Sequence, residues 1–372
     1  MRILIKIIAI IILLSGCDTS SKNEWTQFRG NLENTGYTKS KAPHEIPNVK
    51  WKFKTEDKVF SSPAVADGVV YFGSNDGHLY AVNVNTGEEL WRFKTGNWVF
   101  SSPAVADGVV YFGSYDGYLY AVNVNTGEEL WRFKTGGRVY SSPAVADGVV
   151  YFGSNDSHLY AVNVNTGEEK WKFKTREAVA SSPAVADGVV YFGSYGGDFY
   201  AVNINTGEEK WKFKADLGIH SSPAVSDGVV VFLGGYHGDL YAVNVNTGEE
   251  LWRFKTGGMV FSNPAVSDGV VFFCSWDKYL YAIDISTGQE KWKFKTEGSI
   301  RSSPVVADVL VYFVNHSLLD GDVTYGYFYA VDIRTGQEKW KFKTEDWVSS
   351  SPAVSDGVVY FGSNDGYLNA LE

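Results

Sequence analysis

At 372 residues, with 33 Lys and Arg against 43 Asp and Glu, the chain carries a formal net charge of -10. That balance offers no basic footprint for phosphate contacts and argues against nucleic acid as a partner. Two cysteines as far apart as Cys17 and Cys274 exclude a disulfide framework, a CxxC redox pair and a cysteine-built zinc site.

In chain order the first element is an apolar run, Ile3 to Leu14, broken only by Lys6 and ending in Leu14-Ser15-Gly16-Cys17. It falls short of the roughly 20 apolar residues that a bilayer-spanning helix needs, and reads as a secretory signal with a lipobox. In the lipoproteins it resembles, the cysteine becomes the first mature residue and carries the acyl chains. Residues 1–16 are therefore expected to be a signal peptide and Cys17 the lipidation site and membrane anchor. Residues 17–24, small and polar, form a flexible tether. In enteric lipoproteins an aspartate after the cysteine, here Asp18, tends to mark retention at the inner membrane. The expected location is extracytoplasmic: the periplasmic side of either membrane, or the cell surface.

After an arm over residues 25–50, a period dominates. The prolines of a Ser-Ser-Pro-like segment fall at Pro63, Pro103, Pro143, Pro183, Pro223, Pro264, Pro304 and Pro352, so eight units follow at spacings of 40, 40, 40, 40, 41, 40 and 48. Within one unit, Val99 to Thr135, four short runs are cut by Asp107-Gly108, Asp116-Gly117 and Thr126-Gly127. Such pairs between apolar runs are hairpin signals, which makes each unit a four-stranded antiparallel meander. The second run, Val109-Val110-Tyr111-Phe112, is apolar at consecutive positions and should be buried on both faces, as when sheets stack radially. The fourth, Leu130-Trp131-Arg132-Phe133-Lys134, alternates aromatic with cation, which suits an outermost strand guarding its open edge with charge.

The eighth unit stops at Leu371-Glu372 before its fourth strand, while Trp51-Lys52-Phe53-Lys54-Thr55 precedes the first unit as a fourth strand without partners. Pairing the two removes two raw edges. The expected fold is all-β: a single eight-bladed β-propeller of four-stranded antiparallel blades over residues 51–372, closed by strand 51–55 on the C-terminal blade.

Third and fourth strands are joined through Ala-x-Asn/Asp-x-x-Thr-Gly-x-x-x-Trp, from Ala81 to Trp91 in the first unit to Ala330 to Trp340 in the seventh. Thr-Gly makes a tight turn that aims the indole. Burying it contributes roughly 1.5–3 kcal/mol, by analogy with other large apolar side chains. The pattern resembles the tryptophan-docking motif of the quinoprotein, or PQQ-like, propeller family, and the resemblance runs from Trp25 to Glu372. It implies a wedging role between blades for Trp51, Trp91, Trp131, Trp171, Trp211, Trp252, Trp292 and Trp340. It also makes residues 25–50, with Phe28-Arg29-Gly30 and Asn34-Thr35-Gly36-Tyr37, a lead-in arm packed across a blade or the base of the disc. Asn83, Asn85 and Glu88 alternate like calcium ligands, but turn and packing already account for them and the EF-hand glycine spacing is missing. No metal site is expected.

Two functions compete under this resemblance. Quinoprotein alcohol dehydrogenases hold pyrroloquinoline quinone near the axis with calcium, an acidic base and a vicinal disulfide. Here Cys274 is solitary, and no insertion is large enough to roof an active site. Propeller and lipobox together resemble instead the BamB-like lipoproteins of outer-membrane protein assembly, which are non-catalytic scaffolds. The expectation is a cofactor-free platform for other envelope proteins, with no catalytic residues. The alternatives are a PQQ- and calcium-dependent oxidoreductase and, on the exposed aromatics alone, a carbohydrate or cell-wall binding module.

Strand alternation sorts the connections onto two faces. The turns between first and second strands are Asp-Gly in all units but one, at Asp308-Val309, and the third-to-fourth turns keep Thr-Gly, so that face is monotonous. The other face collects the variation: Trp98, Tyr115, Arg138, Tyr195, Tyr236, His237, Met259, Trp276, Lys278 and Trp347. Both length changes fall there too, one residue near Gly234 and eight within Asn315–Tyr327. Aromatics with arginine are the residue types enriched in protein-binding hot spots, whereas no acid, base and nucleophile converge. The residue before Ser-Ser-Pro should ring the channel mouth, as Phe60, Phe100, Tyr140, Ala180, His220, Phe261, Arg301 and Ser349. By blade count His220 faces Phe60 and Arg301 faces Tyr140, a setting for a small anion or an aromatic ligand. The other histidines, His44, His78, His158, His237 and His316, are read as solvated.

Overall fold

The computed structural model describes residues 24–234, 238–318 and 324–372. The expected signal peptide, Cys17 and its tether up to Asn23, Tyr236 and His237 lie outside these residues. Blade 1 is made of strands Ala64–Ala66, Val69–Gly73, His78–Asn83 and Glu89–Lys94, hydrogen-bonded in that order. Blades 2 to 7 repeat the meander, and blade 8 is Ala353–Ser355, Val358–Gly362 and Tyr367–Leu371. Its fourth strand is Val49–Lys54, paired antiparallel through Trp51↔Ala370 and Phe53↔Leu368. The first and last strands of the ring are thus held in one sheet, and the ring closes as expected.

The inner hairpins turn on aspartate and glycine, both in the left-handed region, such as Asp67 (φ 48) and Gly68 (φ 78). These two-residue turns match the twist of the strands they join. In blade 7, where valine replaces the glycine, Asp308 alone keeps a positive φ among the two. Second strands are buried nearly throughout, whereas fourth strands alternate, with Trp131 and Phe133 turned inward and Arg132 and Lys134 outward. Each fourth strand carries a bulge one residue before its tryptophan; in blade 1 the register jumps from Trp91↔Ala81 to Glu89↔Val82. The extra residue tilts the indole toward the next blade.

There each indole N–H donates to a main-chain carbonyl of the following blade, Trp51 to Val84 at 3.0 Å and Trp131 to Val164 at 2.8 Å. The glycine of the next Thr-Gly turn lies flat under the ring: a Cβ on Gly127 (φ 70) would sit 2.8 Å from Trp91. Only glycine meets both demands, left-handed backbone and van der Waals contact with an indole. Trp340 departs from the pattern and donates to Pro43 of the arm, at 3.1 Å. The core is correspondingly divided, with apolar clusters between neighbouring blades, such as Tyr111 and Leu119 of blade 2 against Val150 and Phe152 of blade 3.

The arm follows the base of the disc around the axis. Its carbonyls accept hydrogen bonds from the inner strands in turn: Trp25 from Val65, Thr26 from Val105, Leu32 from Val185, Glu33 from Val225, Thr35 from Val266 and Gly36 from Val306. Inner strands have no neighbour on their axial side, and these N–H groups would otherwise be buried without an acceptor. One feature differs from expectation. The eight extra residues of blade 7 extend the second and third strands to Leu310–Leu318 and Thr324–Asp332, still in register at Leu318↔Thr324. The added pairs run from Asn315↔Tyr327 to Leu318↔Thr324.

Candidate functional site at the axis and loop face

The innermost strand begins with two inward-facing layers of side chains, because residues two apart share a face. The deeper layer is the second serine of Ser-Ser-Pro, and it ties blade to blade. Ser62 N–H donates to Ser102 Oγ (3.0 Å), Ser102 to Ser142, Ser142 to Ser182 and Ser182 to Ser222 (2.9 Å each). The belt runs on from Ser222 N–H to Asn263 Oδ1, from Asn263 to Ser303 Oγ and from Ser351 to Ser62 Oγ. This belt escaped the sequence reading, although the recurrence of Ser-Ser-Pro in seven of the eight repeats, with Asn263 in the remaining one, was its visible trace.

Above it lies the layer read as the channel mouth, and the structure brings all eight of those residues to one cavity of about 150 Å³. The cavity opens on the variable face, and Phe28 of the arm also lines it. Its wall has two chemistries. On blades 1 to 3, Phe60 stacks on Phe100 (centroids 5.0 Å apart) and Phe100 on Tyr140 (5.6 Å). Trp98 and Tyr115 extend this arc outward against Phe100, and Arg138 lies over the Tyr115 ring. Across the axis, Arg301 stands over Trp276 (5.1 Å) and Phe261 (5.7 Å). It makes no ion pair among the described residues. His220 packs against Tyr195 at 4.3 Å, and burial pushes its pKa down, which keeps it neutral.

The outer rim divides the remaining candidates. Trp98, Arg138, Tyr195, Met259 and Lys278 are exposed. Trp276 and Trp347, read as exposed, are half-buried, and their indole N–H groups have no partner among the described residues. Trp347 is covered by His316, whose ring meets it edge-on at 5.3 Å. His316 is a correction to the sequence reading: it is buried, on the extended strand of blade 7, and both ring nitrogens are without a partner among the described residues. Desolvation, followed by the charge of Arg301, pushes its pKa down to about 4. Period-two alternation places it inward, a consequence of the strand extension that the loop reading had missed. His78 and His158 are half-buried beside Asp76 and Asp156, and His44 is bonded to Asp308 at 2.9 Å.

Calcium needs six to eight oxygen ligands with carboxylates among them. No aspartate or glutamate lines the axial cavity, its serine oxygens already accept N–H groups, and Arg301 repels a cation. Among the described residues no cluster of three His, Cys, Asp or Glu suits a metal, and Cys274 is buried and free, with no neighbour for a vicinal disulfide. The residues present therefore do not fit quinone and calcium at this axis. No helix among the described residues is long and apolar enough to cross a membrane.

The family whose sequence model matches is described as outer membrane protein assembly factor BamB; the matched segments are residues 48–99, 75–213, 165–255, 206–325 and 321–372. The chain belongs to that family. No curated protein sequence matches it. Among solved structures, BamB from Moraxella catarrhalis is 17% identical with a TM-score of 0.74, aligned over 88% of this chain and 100% of that one. A europium-containing methanol dehydrogenase is 15% identical at a TM-score of 0.79, over 91% and 89% of the two chains. A quinohemoprotein alcohol dehydrogenase from Comamonas testosteroni is 14% identical at 0.80, over 94% and 80%. At such identities the likeness carries the fold alone.

Proposed function

We propose that the protein is a non-catalytic, cofactor-free interaction platform of the cell envelope, anchored through lipid on Cys17, that takes part in outer-membrane protein assembly. The family description supports the assembly role. The observation that carries the platform reading is the division of the disc: the base is occupied around its axis by the arm, while the opposite face exposes Trp98, Arg138, Tyr195, Met259 and Lys278. Large side chains held on rigid loops lose little entropy on docking and are suited to hot spots.

The test is crosslinking of the anchored protein in its own membrane, followed by identification of what is captured. Replacing Trp98, Arg138, Tyr195 and Met259 together with alanine should abolish capture without lowering the melting temperature. Capture that survives the fourfold variant removes the face assignment. A Cys17→Ser variant should leave the membrane fraction. Incubation with pyrroloquinoline quinone and calcium should yield no dye-linked alcohol oxidation; turnover would favour the oxidoreductase instead.

A further inference from the structure

The axial cavity has a donor surplus. Ser102, Ser142, Ser182, Ser222 and Ser303 each accept an N–H from the preceding blade through Oγ, and Ser62 accepts one from Ser351. None of these hydroxyls donates to a group among the described residues. Their own hydrogens are left for whatever fills the cavity. Ser349 Oγ, also on the lining, has no partner among the described residues. Arg301 adds a guanidinium that makes no ion pair among the described residues. Against these donors the lining offers no carboxylate at all. A surplus of donors and positive charge without a carboxylate is what an oxyanion requires.

The opposite wall asks for something else. Phe60, Phe100 and Tyr140 present stacked ring faces and edges, suited to one more ring. The volume, about 150 Å³, sets a limit: a cavity of that size holds a single benzene ring, not a fused ring system. Water alone satisfies the hydroxyls but gives the aromatic wall nothing to pack against.

We propose that the axial cup binds a carboxylate borne on a single aromatic ring, the ring packed on Phe60, Phe100 and Tyr140 and the carboxylate held by Arg301 with the hydroxyls of Ser349 and Ser351. The same chemistry is offered by a free arylcarboxylate and by the last residue of a chain that ends in phenylalanine. The site does not rest on the platform reading, and none of the four rim residues varied above lines the cup.

Binding is measured by calorimetry and tryptophan fluorescence on the purified full chain, with 3-phenylpropionate, its amide and acetate. The acid should bind saturably, and the amide and acetate about tenfold or more weakly, the loss expected for a missing charge-assisted bond or a missing ring. Arg301→Gln should weaken the acid by a similar factor with the melting temperature unchanged, since Arg301 is exposed. Arg301→Lys should restore part of the affinity, and Tyr140→Ala should weaken it through the ring alone. A second arm compares a pentapeptide ending in phenylalanine with its C-terminal amide. Tighter binding of the free-acid peptide than of 3-phenylpropionate supports the site with a chain end as the source, and the reverse order supports it with a free molecule. The proposal is overturned if neither acid binds, if the amides bind equally, or if Arg301→Gln leaves affinity intact.

Discussion

Blades 1 to 4 and the sector of blades 6 to 8 use the same repeat with different results. In the first region, each polar group of the inner layer finds its partner one blade on, Ser62 on Ser102 and Ser102 on Ser142, and each indole does likewise, Trp91 on Val124 and Trp131 on Val164. In the second, Trp276, Asn315, His316, Trp347 and Ser349 carry buried polar atoms with no partner among the described residues, against Asn75 Oδ1 in the first. The difference teaches that a near-identical repeat satisfies itself by translation, and that departures from it leave polar groups stranded. Those departures surround Arg301. Buried unsatisfied groups cost about 1–3 kcal/mol each, so the sector has given up stability that the regular blades keep.

The largest way to break the comparison acts on the regular half. Gly127→Val must adopt φ near 70 and push into the Trp91 ring, and should cost about 2–5 kcal/mol from backbone strain and overpacking together. A melting temperature within error of the parent would show that the indole seam carries little of the stability.

Next in size is the pH response of the irregular sector. His316 titrates near 4 in the folded protein, against about 6.5 when unfolded. Between these values the unfolded chain binds a proton that the folded one refuses, so stability falls as pH drops from about 6.5 to 4, by about 3 kcal/mol in all. His316→Phe, which has no proton to bind, should flatten the difference in melting temperature between pH 7.5 and 4.5 relative to the parent. Equal slopes in both proteins count against the buried, neutral ring.

Paired serines give a finer contrast. Ser102→Ala strands the Ser62 N–H in the belt and should cost about 1–3 kcal/mol, whereas Ser349→Ala removes a hydroxyl that has no protein partner and should be neutral or slightly stabilising. Denaturant midpoints for the two variants, with unchanged m-values, report the difference directly. The smallest effect on stability is expected from Trp98→Ala on the exposed rim, within about 0.5 kcal/mol. Its loss should show in partner capture instead.

The sequence alone was enough to determine the number of blades, the strands in each, the closure of the ring and the sorting of loops onto two faces. All of these rest on local signals: turn pairs such as Asp107-Gly108, alternation in Trp131-Arg132-Phe133-Lys134, and a period that the prolines mark. Local backbone preferences propagate without reference to distant residues, and a repeat multiplies them. What tertiary structure decided was which side chains meet across the axis and what becomes buried. Phe28 on the floor, the serine belt, the arm under successive inner strands, and the concealment of His316 and Trp347 all join residues tens to hundreds of positions apart. Burial and hydrogen-bond satisfaction are properties of the closed ring, because a polar atom is stranded or partnered only once the neighbouring blade is in place.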